Sequence, residues 1–519
     1  MYLATKEDIY FIDEECEKKY NIPTLELMEN AGKNSFVWIK ENLDLKKNFL
    51  VFCGHGNNGG DGAVLARYLI QNGVNTKVVF VGDVIEKTKG VAKENFLRLK
   101  EFYKWDFSIK GLLEIKDIIE NSDYIIDAIF GVGLKGELYQ PIIDLIEQIN
   151  SSGKVIISLD IPSGVLANGG NFKIAVKANY TLTFGLPKFG MIDYPGADFC
   201  GKIETIDIGI PQNIIEERKP IIFLTDNYVS SLLQKRKRDS HKGKFGHLLI
   251  VGGYGGNFKK GIKAMGGSVI LSGLSALRSG VGLLTIATHI DNLTSIQASI
   301  PEAMTFGWKE SNSSLRSIRR LIENNFIKTV LVGNGFFTGK FQEKLIEMIL
   351  THPVVDKIVI DADGINNISQ NERLMKILKS SGKNIILTPH IGEASRMLDL
   401  HPEIVKFNKL DMAKKLNQLT NSVILLKDSV SVISSSERLF VNNRGSVSLA
   451  KGGSGDILAG LVAGFLASGH SAVSSAIIGS YLLGLAGEKC ENIYGSFSTT
   501  GSDVINIIPE VIKYISMLE

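Results

Sequence analysis

NFLVFCGHGNNGGDGAVLARYLIQNG, Asn48 to Gly73, passes from an unbroken apolar run through a glycine cluster into an amphipathic stretch. The run ending at Cys53 reads as a strand buried on both faces, and the stretch from Ala63 onward reads as a helix. A doubly buried strand followed at once by a helix is the unit of a parallel sheet with helices on both sides.

The same alternation recurs along the chain. Further strands read TKVVFVG from Thr76, YIIDAIFG from Tyr124 and KVIISLDIPSG from Lys154. The pattern loosens around residues 211–226, where Pro211 and Pro220 flank the charged run Glu216-Glu217-Arg218-Lys219, and a basic stretch, Lys235 to Arg238, follows. A second series then begins with GHLLIVGG from Gly246. It continues with GLLTIAT from Gly282, TVLVGNG from Thr329, KIVIDADG from Lys357, NIILTPH from Asn384 and SVILLKD from Ser422. The two series share no repeated motif. A chain of 519 residues is too long for one core, so we expect two different α/β modules, residues 1–215 and 225–519.

Composition narrows the function classes. Hydrophobic residues at 44% and charged residues at 22% describe an ordinary globular protein, and a net charge of +3 offers no basic face for nucleic acid. Cys16, Cys53, Cys200 and Cys490 lie far apart, which argues against a disulfide framework or a zinc site. The start, MYLATKEDIYFIDEE, resembles neither a secretory signal nor a transit peptide. Residues Ile457 to Gly487 lack charge, but Ser468-Gly469-His470-Ser471 splits them into pieces shorter than the roughly 20 residues needed to span a bilayer. A soluble, cytoplasmic protein without a membrane partner is the expectation.

In open parallel sheets ligands bind at the carboxyl ends of strands, and each glycine cluster sits at such an end. Gly54 to Gly62 carries Asn57, Asn58 and Asp61, a denser set of polar groups than a simple turn requires, and it lacks the GxGxxG spacing of the dinucleotide fingerprint. Asn58, Asp127 and Ser163 offer hard oxygen ligands from neighbouring strand ends, suited to a monovalent or hard divalent ion. Asp160 is a candidate proton shuttle, and Lys188 its partner or a phosphate contact.

These residues lie in GHGNNGGDGAVLARYL, DAIFGVGLKGE, SLDIPSG and LMENAG (Leu27 to Gly32), which together closely resemble the NAD(P)H-hydrate epimerase family over residues 1–215. The resemblance implies a Rossmann-like doubly wound sheet and K⁺ held by Asn58, Asp127 and Ser163. Hydrated cofactor would bind along Asn57, Asn58, Gly59, Gly60 and Asp61, along Gly131, Val132, Gly133, Leu134, Lys135, Gly136 and Glu137, and at Asp160, the acid/base. A related fold serves as a scaffold in messenger-RNA decapping, so fold alone does not establish activity.

LAKGGSGDILAG, Leu449 to Gly460, places Gly452, Gly453 and Gly455 before an uncharged helix whose N-terminus can hold an anion. Asp456 beside that hole would repel phosphate unless it removes a proton from a hydroxyl. Such turns resemble those of ribokinase-like phosphotransferases. The companion motifs KGKFGHLLIVGG, ALRSGVGLLTIAT, GNGF (Gly333 to Phe336), VIDADGIN, TPHIGEASR and LLKDSVSVI resemble the ADP- or ATP-dependent NAD(P)H-hydrate dehydratases over residues 225–515. By that resemblance Gly335, His390, Ile391, Gly392, Glu393, Ala394, Ser395, Arg396 and Asp456 would contact the hydrate. Lys427, Asp428, Ser429, Val430 and Ser431 would hold ADP. So would Ser446, Val447, Ser448, Leu449, Ala450, Lys451, Gly452, Gly453, Ser454 and Gly455, with Mg²⁺ assisting. GNGF departs from the usual GPG at Asn334, and Val447 to Lys451 differs from the commoner glycine-richer loop.

The two resemblances together imply repair of hydrated NADH and NADPH by a cytoplasmic homo-oligomer. The first domain would interconvert the R and S hydrates, and the second would dehydrate the S form with ADP to give AMP, phosphate and NAD(P)H. Two alternatives stay open. One is an ATP-dependent kinase of a small alcohol, with Asp456 as base. The other is a nucleotide-sensing or scaffold module that performs no chemistry.

Overall fold

The computed structural model describes residues 1–81, 88–102, 112–134, 136–256 and 263–518. They form two compact units, Tyr2–Ile221, and Ile222–Glu519 together with Met1.

In the first unit six parallel strands lie in the order Thr76–Phe80, Phe49–Cys53, Tyr124–Ala128, Val155–Leu159, Tyr180–Phe184, Lys202–Ile206. Phe49, Val51 and Cys53 enter one core with Ile12, Leu27 and Leu65, while Leu50 and Phe52 enter another with Ile142, Ile146 and Ile149. A strand buried on both faces gains about 1.5–3 kcal/mol for each large apolar side chain withdrawn from water. The absence of polar residues in FLVFC is therefore what a central position requires. This is the doubly wound, Rossmann-like sheet expected from the sequence.

From Phe49–Cys53 the chain runs outward to Thr76–Phe80 and then returns on the other side as Tyr124–Ala128. The loops leaving Cys53 and Ala128 diverge at this switch in direction, which opens a crevice for ligand. Glycines let the helix Asn57–Gln71 start against the neighbouring loops. A Cβ on Gly59 would lie 1.8 Å from the Gly54 carbonyl oxygen, and one on Gly54 would lie 1.9 Å from that of Ile129. Backbone cannot yield as a side chain can. Gly59→Ala is expected to destabilise the first unit by roughly 1–3 kcal/mol, read as an earlier urea midpoint.

In the second unit the strands run Ile221–Phe223, Leu439–Asn442, Ser431–Ser434, Val423–Leu426, Asn384–Leu387, Lys357–Ile360, Thr329–Val332, His247–Val251, Leu283–His289, Met304–Trp308. All neighbours are parallel except at Ser431–Ser434, which is antiparallel to both strands beside it. This is again an α/β unit, and its direction switches between His247–Val251 and Thr329–Val332. The helices Gly266–Arg278 and Ser454–Ala467 cross closely. A Cβ on Gly460 would lie 2.1 Å from Ser275 Oγ, and one on Gly464 would lie 1.8 Å from Ser279 Oγ. Ser272 Oγ donates to the Asp456 carbonyl at 3.0 Å, fixing the start of the second helix.

The uncharged stretch after Asp456 forms two helices, Ser454–Ala467 and Ala472–Ser498, with extensively buried side chains. Among the described residues no helix is long and apolar enough to cross a membrane. All four cysteines are free and buried.

Candidate active sites

The crevice of the first unit is a cavity of about 470 Å³ walled by Asn57, Asn58, Asp61, Gly131 to Leu134, Asp160 and Lys188, with Tyr10 and Asp13 contributed by the helix Lys6–Tyr20. Asp160 follows the strand Val155–Leu159 directly and adopts φ 63°, in the left-handed region. Its amide donates to the Leu182 carbonyl at 2.7 Å, which holds this unusual backbone in place. Its carboxylate accepts from Lys188 Nζ and from the Phe184 amide at 3.3 Å. Lys188 is only 1% exposed, and its ammonium also donates to Thr183 Oγ1 at 2.9 Å and the Phe184 carbonyl at 3.2 Å. Its three donors thus have three oxygens. Lys188 is the buried partner of Asp160.

Asp61 is buried and makes no hydrogen bond to a described residue. Burial first, then the charges of Asp160 and Asp13, push its carboxyl well above the usual range against the pull of Lys188. Asp13 is pushed up to about 6 by burial and then by Asp160, with Lys188 opposing. Among the described residues the cavity is therefore lined by three carboxyl groups and one ammonium.

Behind them Asp127 accepts from Ser163 Oγ at 2.5 Å, the Ser163 amide at 2.9 Å and Ser158 Oγ at 2.7 Å. Asn58 Nδ2 donates to the Phe130 carbonyl at 2.9 Å, while its Oδ1 is buried without a partner. An orphaned amide oxygen beside a carboxylate, a hydroxyl and a carbonyl is a donor set that fits a hard monovalent cation.

The remaining candidates divide. Asn57 opens a helix without a side-chain cap, so its first amides stay available to an anion. Gly131 fits between Asn58 and Asp160, since a Cβ there would lie 3.1 Å from Asn58 Cβ and 3.6 Å from Asp160 Oδ2. Gly59 and Gly60 pack against Gly54 and Met28 and are not part of the cavity wall. Gly136 and Glu137 are exposed, and Lys135 lies outside the described residues.

In the second unit the switch loops converge on Asp456. Asn334 Nδ2 donates to Asp456 Oδ1 at 2.8 Å and to Asp361 Oδ2 at 3.1 Å. Asp361 Oδ1 also accepts from Lys427 Nζ at 2.7 Å and from Thr388 Oγ1 at 2.7 Å. A Cβ on Gly455 would lie 3.6 Å from Lys427 Nζ, so this ammonium sits at the start of the helix Ser454–Ala467. Gly453, at φ 99°, turns the chain into that helix, which has no side-chain cap. Uncapped amides, an ammonium and a carboxylate thus meet at one point.

Burial raises the Asp456 carboxyl, and Asp361 adds to this, while the Asn334 hydrogen bond pulls it back. Burial would lower the Lys427 ammonium, but Asp361 and Glu393 hold it above its ordinary value. His390 is shifted down by burial and by Lys427 and Arg396, which favours the neutral ring. It caps the helix Ile391–Leu398 by accepting from the Gly392 amide at 2.9 Å, and its own amide donates to Glu393 Oε2 at 2.9 Å. Arg396 Nε donates to Asn366 Oδ1 at 2.9 Å. Ala394 and Ser395 are buried, with Ser395 donating to the Leu400 carbonyl. Gly335 is buried at φ 57°, and a Cβ there would lie 2.7 Å from the Met265 carbonyl oxygen.

Several expected nucleotide contacts are occupied elsewhere. Asp428 pairs with Lys409 at 2.8 Å, and Val430 is buried. Ser431 Oγ donates to the Asp428 carbonyl, while Ser429 is exposed. Ser446 and Ser448 bond one another, and Leu449 packs on Gly487. Val447 is exposed, and Ala450 accompanies it in the same turn. Lys451 Nζ donates to the Phe497 and Thr499 carbonyls at 2.6 and 2.5 Å. Lys427 and the run Gly452, Gly453, Ser454, Gly455 are left around the anion hole.

Sequence reasoning passed over Asp13, Asn334 and Asp361 as site residues. Asp361 had a readable signal, because it follows its strand directly, as Asp160 does. Asp13 had none, since an acid followed by Glu14 and Glu15 in a charged helix reads as part of a solvated face.

Residues 260–510 match the family model described as NAD(P)H-hydrate dehydratase, and residues 24–190 match the one described as YjeF-related protein N-terminus. The chain is 32% identical to the bifunctional NAD(P)H-hydrate repair enzyme of Dictyoglomus turgidum, over 98% of both chains. It is 31% identical to that of Moorella thermoacetica, over 99% of this chain and 97% of the other. Among solved structures, an ADP/ATP-dependent NAD(P)H-hydrate dehydratase from Bacillus subtilis, co-crystallised with ATP and Mg²⁺, aligns at 24% identity and TM-score 0.48. The alignment covers 57% of this chain and 99% of that one.

Proposed function

This chain belongs to the family of bifunctional NAD(P)H-hydrate repair enzymes, and we propose that its two sites restore both epimers of hydrated NADH and NADPH, with ADP as phosphoryl donor. It is an enzyme of two activities, NAD(P)H-hydrate epimerase in the first unit and NAD(P)H-hydrate dehydratase in the second. The observation that carries the reading is the meeting of Asp456, Lys427 and the uncapped helix Ser454–Ala467 at one point.

Hydroxide is a poor leaving group, so dehydration needs the ring hydroxyl converted to a better one. Asp456 takes the hydroxyl proton as the oxygen attacks the terminal phosphorus of ADP, and AMP departs. The ring nitrogen then expels phosphate, and loss of a proton from the adjacent ring carbon restores the dihydropyridine. Lys427 and the amides following Gly453 neutralise the transferred group, which is the main demand of phosphoryl transfer. Asn334 and Asp361 hold Asp456 and Lys427 in register.

Among the described residues no cluster of three or more acidic, histidine or cysteine side chains is placed to hold a metal. Mg²⁺ would be held by the nucleotide phosphates, where it would spread their charge. In the first unit Asn58, Asp127, Ser163 and the Phe130 carbonyl would hold K⁺, a fixed positive charge behind the cavity. Asp160 would move the proton during interconversion of the epimers.

The test is product analysis with hydrated NADH, ADP and Mg²⁺. Repair gives AMP, free phosphate and NADH in equal amounts. A phosphoester released intact would instead establish a small-alcohol kinase.

A further inference from the structure

We infer that Asp13 is a second proton-transfer group of the epimerase site, reaching the cavity from the helix Lys6–Tyr20 and not from the strand end that carries Asp160. The inference rests on the epimerase reading of this cavity.

The helix Lys6–Tyr20 is anchored at its start by a capping box between Thr5 and Asp8 and on its inner face by Ile12 and Cys16, both wholly buried. This fixes Ile9, Tyr10, Ile12 and Asp13 along the cavity. Asp160 and Asp61 enter from the sheet side, after the strand Val155–Leu159 and within the helix Asn57–Gln71. Asp13 makes no hydrogen bond or ion pair with any described residue, although it comes from a regular helix with ordinary neighbours. A carboxylate kept to hold structure together would have a partner. Among the described residues the one ammonium lining the cavity, Lys188, is committed to Asp160, Thr183 and Phe184.

Asp61 is also without a partner and more than nine-tenths buried. Buried and partly buried carboxyl groups that repel one another, as Asp13, Asp61 and Asp160 do, do not all ionise together, so the cluster retains a proton near neutral pH. Burial and Asp160 place Asp13 at about 6, suited to giving and taking a proton there. The groups facing it are Asp160, Lys188, Asp61 and Cys16, and the Cys16 thiol is pushed up to about 11 by burial and by Asp13, so it stays neutral.

Protonated Asp13 gives its proton to the ring hydroxyl as the carbon–oxygen bond breaks, the ring nitrogen's lone pair forms a carbon–nitrogen double bond, and water leaves. Water then adds to the opposite face, the double-bond electrons return to nitrogen, and the carboxylate of Asp160 takes the released proton. The reverse direction exchanges the two roles, and proton exchange between the carboxyls or with solvent resets the site.

The test uses the full chain carrying Asp13→Asn, assayed on hydrate enriched in the R-epimer. Conversion of R to S is expected to fall about 100-fold or more, with KM nearly unchanged and dehydration of supplied S-epimer intact. The wild-type rate should fall as pH rises through about 6, and the variant should lose that dependence. Because the folded-state value lies above that of an unfolded Asp, ionised Asp13 destabilises the native state as pH rises past the unfolded value. Its removal should therefore raise the Tm of the first unit, whereas loss of a structural contact would lower it. Asp13→Glu should recover part of the rate. A wild-type rate in Asp13→Asn, or a loss accompanied by a lower Tm or a much higher KM, would overturn the inference. Failure of the wild-type chain itself to convert the R-epimer would overturn the epimerase reading beneath it.

Discussion

Asp456→Asn is expected to lower dehydration of the S-epimer by about 10²–10⁴-fold while leaving epimerisation of the R-form at the wild-type rate. The amide keeps the shape and a hydrogen-bonding group opposite Asn334, so the helix Ser454–Ala467 should still form, and nucleotide binding should change little. What is lost is the proton acceptor. The wild-type dependence on pH follows from the same group. Burial raises the Asp456 carboxyl, and a base must be deprotonated, so the rate should climb with pH through that raised value. The residual rate of the variant should lack this rise. Stopped assays on purified S-epimer with ADP and Mg²⁺ measure both effects. A variant with near-normal turnover would remove Asp456 from the chemistry.

Lys188→Met tests the first unit differently. The ammonium is almost wholly buried and, among the described residues, Lys188 is the only lysine or arginine lining the cavity with Asp160, Asp61 and Asp13. Removing one partner of a buried pair costs about 3–5 kcal/mol, because the remaining charge is left uncompensated. The first unit should unfold at markedly lower urea at pH 7, and epimerase activity should be lost. The sign of the pH dependence separates charge from packing. Without Lys188 the carboxyls titrate higher in the folded state than in the unfolded chain, so stability is lost as pH rises and partly regained on acidification. A deficit independent of pH would point to the lysine stem and not to its charge.

The central strands were legible because each is an apolar run buried on both faces, closed by Gly54 after FLVFC and by the polar turn Asp361-Ala362-Asp363-Gly364 after KIVI. The outer strands were not. Lys202–Ile206 alternates charge with apolar residues at a sheet edge, and Ser431–Ser434 and Leu439–Asn442 are four residues each within a short antiparallel series. Asp160 and Asp456 stood out because each follows a strand or a glycine turn at a place where ligands bind. Lys188 was already a candidate partner of Asp160, whereas the bridge from Asn334 to Asp456 and Asp361 arises only through tertiary packing. Gly59 carries a packing demand that the motif does not reveal, since a Cβ there would lie 1.8 Å from the Gly54 carbonyl oxygen.

The most direct measurement follows reduced-ring absorbance in an equilibrated mixture of R- and S-hydrated NADH incubated with the full chain, ADP and Mg²⁺. Two active sites predict complete recovery of NADH, with Asp160→Ala stopping near the S-fraction except for slow spontaneous epimerisation and Asp456→Ala recovering none. No nucleotide-dependent recovery by the intact chain would contradict the account.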